Sequence, residues 1–295
     1  MSTVYTIENN ELVLKVSSVG AEMISLVSKK DGCEFLKGLG GDFWQRCAPL
    51  LFPINGRLWD GICTHKGKTY KMDTHGVAKL FDFELFEKSD ASMTLRMEST
   101  PEMLENNYPF PFEILFTFAL EGNKVINSVR IKNKGDEVMP YSVGLHPAFR
   151  LPFNDDESFD DYYVEFCEEC KPNTWLLSPR YFVTGETAPF EVENGKVIPL
   201  YHEMFDGDAI FLQDIPGKAE LRSRKSDRCI SFDYTGFPFV GLWHTPMTKA
   251  PFVCFEPWTG SPDIDGQINE ITTKKDMILL DPKAEAVHTL TFTVK

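Results

Sequence analysis

One carboxylate stands out because of its surroundings. In Phe252-Val253-Cys254-Phe255-Glu256-Pro257-Trp258 a single glutamate follows four apolar residues and precedes proline and tryptophan. Glutamate is rarely buried without a partner, so Glu256 is paired, exposed at a strand end, or functional. A second ionisable group lies in Gly144-Leu145-His146-Pro147-Ala148-Phe149. Proline after the imidazole confines the His146 backbone to extended conformations, which would hold a general acid still; a packed core histidine is the plain alternative. His75, in Thr74-His75-Gly76, falls on a loop, where sites concentrate, or is simply a half-exposed loop histidine. Arg57 follows an apolar run and the turn dipeptide Asn55-Gly56. Its guanidinium could fork hydrogen bonds to two hydroxyls or be an ordinary surface arginine.

One carboxylate, two imidazoles, one guanidinium and several aromatics suit acid–base chemistry on a neutral polar ligand. Tryptophan and tyrosine would supply an apolar platform with a polar handle. The chain has no G-x-S-x-G elbow, no G-x-G-x-x-G loop and no Walker A loop, so serine hydrolysis, dinucleotide redox chemistry and phosphoryl transfer lack support. The net charge of −14 disfavours a nucleic-acid partner, which needs a basic face. No segment approaches 18 consecutive apolar residues, so no membrane span is expected. The seven cysteines at 33, 47, 63, 167, 170, 229 and 254 are scattered. With no export signal in view they read as free thiols in a reducing, cytoplasmic setting. Cys167-x-x-Cys170 lacks further ligands at zinc spacing, and no metal or cofactor is expected.

The elements that would position these groups are strands. Hydrophobicity alternates at period two over 82–86 and 93–97, over 112–120 and 124–131, and over 219–224 and 229–234, each pair joined by a short polar turn. Residues 12–16, 22–26 and 288–294 read likewise. The one helical signal is short: Thr100 as cap, Pro101 at the first position, and Tyr108-Pro109 as terminator. Many hairpins and almost no helix predict an all-β, antiparallel structure, with residues 1–295 as one domain.

At four motifs the chain resembles the aldose 1-epimerase (galactose mutarotase-like) superfamily, most closely its LacX-like branch. These are the Leu-Phe-Pro-Ile-x-Gly-Arg-Leu run ending at Leu58, His75-Gly76, Gly144-x-His146-Pro-Ala-Phe149, and Phe255-Glu-Pro-Trp258. The resemblance implies a β-supersandwich with few short helices and a cofactor-free epimerase, monomeric or homodimeric, acting on a small sugar. It implies Glu256 as general base and His146 as general acid, ionised and protonated respectively near neutral pH. Arg57, His75, Trp258 and an aspartate from a later loop would bind substrate. Asp208 is the best positional match for that aspartate, with Asp206 close by.

Two other readings compete. A hexose-6-phosphate epimerase would need convergent cations, for which Arg57, Arg46 and the Lys71–Lys79 neighbourhood of His75 are candidates. A non-catalytic sugar-binding protein would need aromatics more than a matched acid and base. Trp243, in strand-like 241–244, reads as core; His65 and His202, in polar turns, read as solvated; His288 has no assigned role.

Overall fold

The computed structural model describes residues 2–295. The period-two segments form the expected hairpins. Phe112–Glu121 pairs with Lys124–Asn133 in unbroken register from Lys124↔Glu121 to Asn133↔Phe112. Ser92–Glu98 adds to one side of this hairpin, and Glu285–Val294 adds to the other. Lys218–Ser223 with Cys229–Asp233 extends the same sheet, and Glu84–Lys88, Tyr162–Phe166 and Val197–Pro199 complete its nine strands. A second sheet of eight strands contains Phe239–Trp243, Phe252–Trp258, Gly144–Leu145 and Leu50–Leu51, with Ala148–Arg150 also paired to Phe252–Trp258. Smaller sheets of three, two and two strands flank these, and every strand ladder is antiparallel. The helix is Pro101–Asn106; the Thr100 hydroxyl accepts the Met103 N–H at 3.2 Å, the cap its sequence predicts.

The two large sheets meet through aromatic side chains. Phe232 of the nine-stranded sheet lies flat on Phe255 of the eight-stranded sheet, with ring centroids 4.1 Å apart and planes 3° from parallel. Phe149 meets Phe292 at 5.7 Å. Side chains alternate across a strand, so Phe255 facing this core sends Cys254, Glu256 and Trp258 to the opposite face. That face is covered too, and all seven residues of Phe252–Trp258 are buried. Double coverage explains the near-continuous apolar run where a half-exposed strand would alternate with polar residues.

The loops beyond this strand are fixed by a buried ion pair. Lys274 Nζ lies 3.0 Å from Asp263 Oδ1, both side chains being almost fully out of water. The ammonium also donates to the Ser261 carbonyl at 2.8 Å. Asp263 Oδ2 accepts the Trp59 N–H at 3.0 Å, and the Asp263 N–H donates to the Arg57 carbonyl at 3.0 Å. A buried charge that keeps its partners is tolerated, whereas one stripped of them is costly. The pair therefore locks residues 57–59 against 261–263.

Phe255→Ala is expected to cost about 3–5 kcal/mol, read as a lower denaturant midpoint at unchanged slope; a loss below about 1 kcal/mol would remove Phe255 from the core. Lys274→Met leaves Asp263 buried and unpaired, with an expected loss of about 3–5 kcal/mol in the same assay. Wild-type stability in that variant would show that the loops are held by other contacts.

Candidate active site

Glu256 sits mid-strand, and two glycines make room for the side chains around it. Gly241 is its register partner on Phe239–Trp243; a Cβ there would lie 3.3 Å from the Glu256 Cβ and 3.4 Å from its Cδ. Gly144 faces Trp258 from the other neighbouring strand, and a Cβ there would come within 2.7 Å of the indole. Any larger residue at 144 would push Trp258 aside.

His146 follows Gly144–Leu145 directly. Its Nε2 lies 3.2 Å from Glu256 Oε2, with the two residues only 5% and 2% exposed. Trp44 stacks on the imidazole at 4.6 Å and 26°, while Trp243 and His75 meet it edge-on at 5.7 and 5.4 Å. Three rings thus fix its plane. Its Nδ1, the second carboxyl oxygen of Glu256 and the Trp258 indole N–H are buried without protein partners. Buried polar atoms in this state are rare and call for explanation; here all three belong to residues lining one cavity of about 360 Å³.

His75 reaches the same cavity from a loop in which it and Gly76 are left-handed, at φ +66° and +78°. Its backbone N–H donates to the Gly56 carbonyl at 2.7 Å, and its Nδ1 accepts the Gly56 N–H at 3.1 Å. With Nδ1 accepting, the ring proton sits on Nε2. Burial, and then the charges of His146, Lys79 and Arg57, hold this imidazole well below the ordinary histidine value. It is a neutral donor at pH 7.

Arg57 lies at the rim, its NH2 3.4 Å from Asp208 Oδ2 and its NH1 donating to the Tyr181 carbonyl at 3.3 Å. Asp208, at φ +83°, also accepts the Trp243 indole N–H at 3.0 Å. Asp206 turns elsewhere and accepts the Met247 N–H at 3.2 Å. The fold therefore brings together Glu256, His146, Arg57, His75, Asp208 and Trp258 around one cavity. A larger cavity of about 790 Å³ between the 28–31 and 226–228 turns has no acid–base pair of this kind.

Several expectations need correction. Trp243 lines the cavity as well as packing beneath it. His65 is buried and 2.9 Å from Glu270 rather than solvated; His202 is half-buried, stacked on Phe159 and in contact with His244 Nε2 at 3.1 Å. The protonation expectation also changes. Burial, then the Asp208 carboxylate, pushes Glu256 well above the ordinary 4.5, and burial pushes His146 down to about 3. Desolvation penalises either charge, so the neutral carboxylic acid and neutral imidazole are favoured over the expected carboxylate and imidazolium. Both descriptions carry one proton shared across 3.2 Å.

Trp44, Phe43, Tyr181 and Phe211 also line the cavity and were not picked out from sequence. The glycine-rich stretch 38–41 before Phe43-Trp44 was the available hint, since irregular loops carry sites. Cys254 lies one pleat from Glu256, and its sulfur, His146 and the Glu256 carboxyl place ligand atoms within 4.8 Å of one another. This is the group of metal-ligand type among the described residues, and burial and then Glu256 push the Cys254 thiol well above its usual value. The cavity's cations are all matched: Arg57 with Asp208, Lys79 with Asp73 at 2.8 Å, and Arg46 with buried Glu22 at 3.1 Å.

A family model described as aldose 1-epimerase matches residues 3–292. The plasmid-encoded protein LacX of Lactococcus lactis subsp. lactis is 32% identical over 268 residues, spanning 86% of this chain and 87% of its own. A galactose mutarotase-like protein from Lactobacillus casei superposes with TM-score 0.93 at 31% identity, covering 99% of this chain and all of that one. A galactose mutarotase related enzyme from Lactobacillus acidophilus gives the same score and identity over 99% and 97% of the two chains. Family model, sequence relatives and fold agree over nearly the whole length, and the chain belongs to the aldose 1-epimerase family.

Proposed function

We propose that the protein is a cofactor-free aldose 1-epimerase that interconverts the anomers of a neutral reducing sugar in the cytoplasm. The observation that carries this reading is the buried Glu256–His146 pair, in direct contact at 3.2 Å, with unpartnered polar atoms on both residues. A pure binding protein has no need of an acid and a base matched in this way. Because each cation around the cavity already has a carboxylate, a neutral ligand suits it better than a phosphate dianion.

The reaction starts from the tautomer in which the shared proton is on His146. Glu256 removes the proton from the anomeric hydroxyl, and the C1–O1 bond becomes a carbonyl as the C1–O5 bond breaks. His146 delivers its proton to O5. The open aldehyde rotates about C1–C2, and the O5 hydroxyl adds to the other carbonyl face while the two groups exchange roles. No proton is gained or lost overall. His75, as a neutral Nε2–H donor, and the Arg57–Asp208 pair hold ring hydroxyls, and Trp258 supplies apolar area against the ring.

Glu256→Gln and His146→Asn should each lower kcat/KM by about 10²–10⁴-fold, measured by polarimetry on freshly dissolved α-D-glucose and α-D-galactose, with the thermal midpoint retained. Near wild-type turnover in either variant would refute the role given to that residue.

The pH profile separates a shared proton from two independent groups. The raised Glu256 and lowered His146 spread the pair's two titrations apart. The one-proton form is lost on the acid side by a second protonation and on the alkaline side by losing the only proton. Between them kcat/KM should stay flat through neutrality. An alkaline limb near the ordinary histidine value of about 6.5 would mean that His146 titrates alone as a conventional acid.

A further inference from the structure

Trp258 carries a polar atom that its packing leaves free. The residue is 2% exposed, and its indole N–H has no protein acceptor. Burying a donor without a partner is costly, so a position that keeps one needs a compensating use for it. Glu256 lies two residues earlier on the same face of Phe252–Trp258. Its Oε2 is taken up by His146 Nε2 at 3.2 Å, which leaves Oε1 buried without a donor. One free donor and one free acceptor therefore belong to neighbouring residues of the same cavity.

The indole is held in one orientation. Gly144 lies against its Cδ1, the carbon bonded to the N–H nitrogen; a Cβ at 144 would stand 2.7 Å from that atom and 2.9 Å from Asn55 Nδ2. Asn55, itself buried, is tied down by the Gly260 N–H, which donates to its Oδ1 at 3.0 Å. Asn55 Nδ2 is a donor, so it cannot accept the indole N–H. Phe211 and His75 flank the ring at 4.9 and 5.5 Å, inclined 45° and 72° to it. The N–H direction is thus set before a ligand arrives, the condition under which a hydrogen-bond donor contributes most to a transition state.

A free donor beside a free acceptor matches a hydroxyl, which accepts and donates through one oxygen. The hydroxyl that gives its proton to Glu256 is the anomeric one. Resting on the epimerase reading above, we propose that the Trp258 indole N–H is a catalytic hydrogen-bond donor to the anomeric oxygen. O1–H gives its proton to Glu256 Oε1, and the freed electron pair forms the second C1–O1 bond. The C1–O5 pair leaves to O5, which takes the His146 proton. The indole keeps its own proton throughout and stabilises the electron density that grows on O1. In the open form it polarises the C1–O1 carbonyl, which makes C1 a better electrophile when O5 returns on the other face.

The test is Trp258→Phe, which keeps a ring against the sugar and removes the N–H. Beside it stands protein carrying benzothienylalanine at position 258, where sulfur replaces the N–H in a ring the size of indole. Polarimetric mutarotation of α-D-glucose and α-D-galactose gives kcat and KM. Inhibition by the corresponding 1,5-anhydro sugars, which lack O1, reports binding of the rest of the ring. Both replacements should lower kcat about tenfold or more. Inhibition constants of the anhydro sugars should stay within about twofold of wild type. A kcat within about twofold of wild type in the benzothienyl protein would overturn the proposal, even if Trp258→Phe folds poorly. Equal losses of turnover and of anhydro-sugar binding would overturn it too, leaving Trp258 as an apolar platform only. An unchanged kcat plateau with a displaced acid limb would mean that the N–H serves Glu256 instead. Each of these outcomes spares the epimerase reading, whereas wild type inactive on both sugars would overturn both.

Discussion

A carboxyl and an imidazole in contact in a buried cavity are the constraint around which this molecule is arranged. Removing both groups from water makes each charge costly, so proton position depends on the surroundings more than on intrinsic acidity. The surroundings are correspondingly rigid. Trp44, Trp243 and His75 leave the His146 ring one plane to occupy. Gly241 leaves the Glu256 carboxyl the volume it needs. A small displacement of either group would lengthen the 3.2 Å contact between them.

The same strand serves two purposes because its faces are separate. Phe255 closes the core between the large sheets by stacking on Phe232, while Glu256 and Trp258 look into the cavity. Glu256, on a central strand, has its position set by its register partner Gly241, whereas Arg57, His75 and Asp208 come from loops that need other anchors. Those anchors are polar: Gly56 bonded twice to His75, and Asp263 with Lys274 beneath Trp59.

Much of this was legible in the chain. Period-two alternation over 112–131 and 219–234 gave the long hairpins nearly to their ends, because each strand there has one wet face. Glu256 was conspicuous because a carboxylate interrupts an apolar run. Trp243, at the end of the neighbouring strand Phe239–Trp243, was read as core because in an apolar stretch an aromatic facing a cavity and one facing the core look alike. Trp44 was invisible for a different reason. Its loop is held by a bond from Thr245 Oγ1 to the Phe43 carbonyl at 2.9 Å, across two hundred residues of sequence. The matching of Arg46 to Glu22 and of Arg57 to Asp208 is equally non-local, as is the desolvation that disfavours a charge on either member of the pair.

Gly144 and Gly241, pressed against Trp258 and Glu256, divide the site into parts with different freedom to vary. The floor has no slack: a methyl group at 144 collides with the indole, and one at 241 crowds the carboxylate. The rim is built from turn residues such as Arg57, Tyr181 and Asp208, whose side chains can be exchanged without repacking the sheets. Point changes at the rim can therefore reshape the mouth of the cavity while the Glu256–His146 floor beneath stays intact.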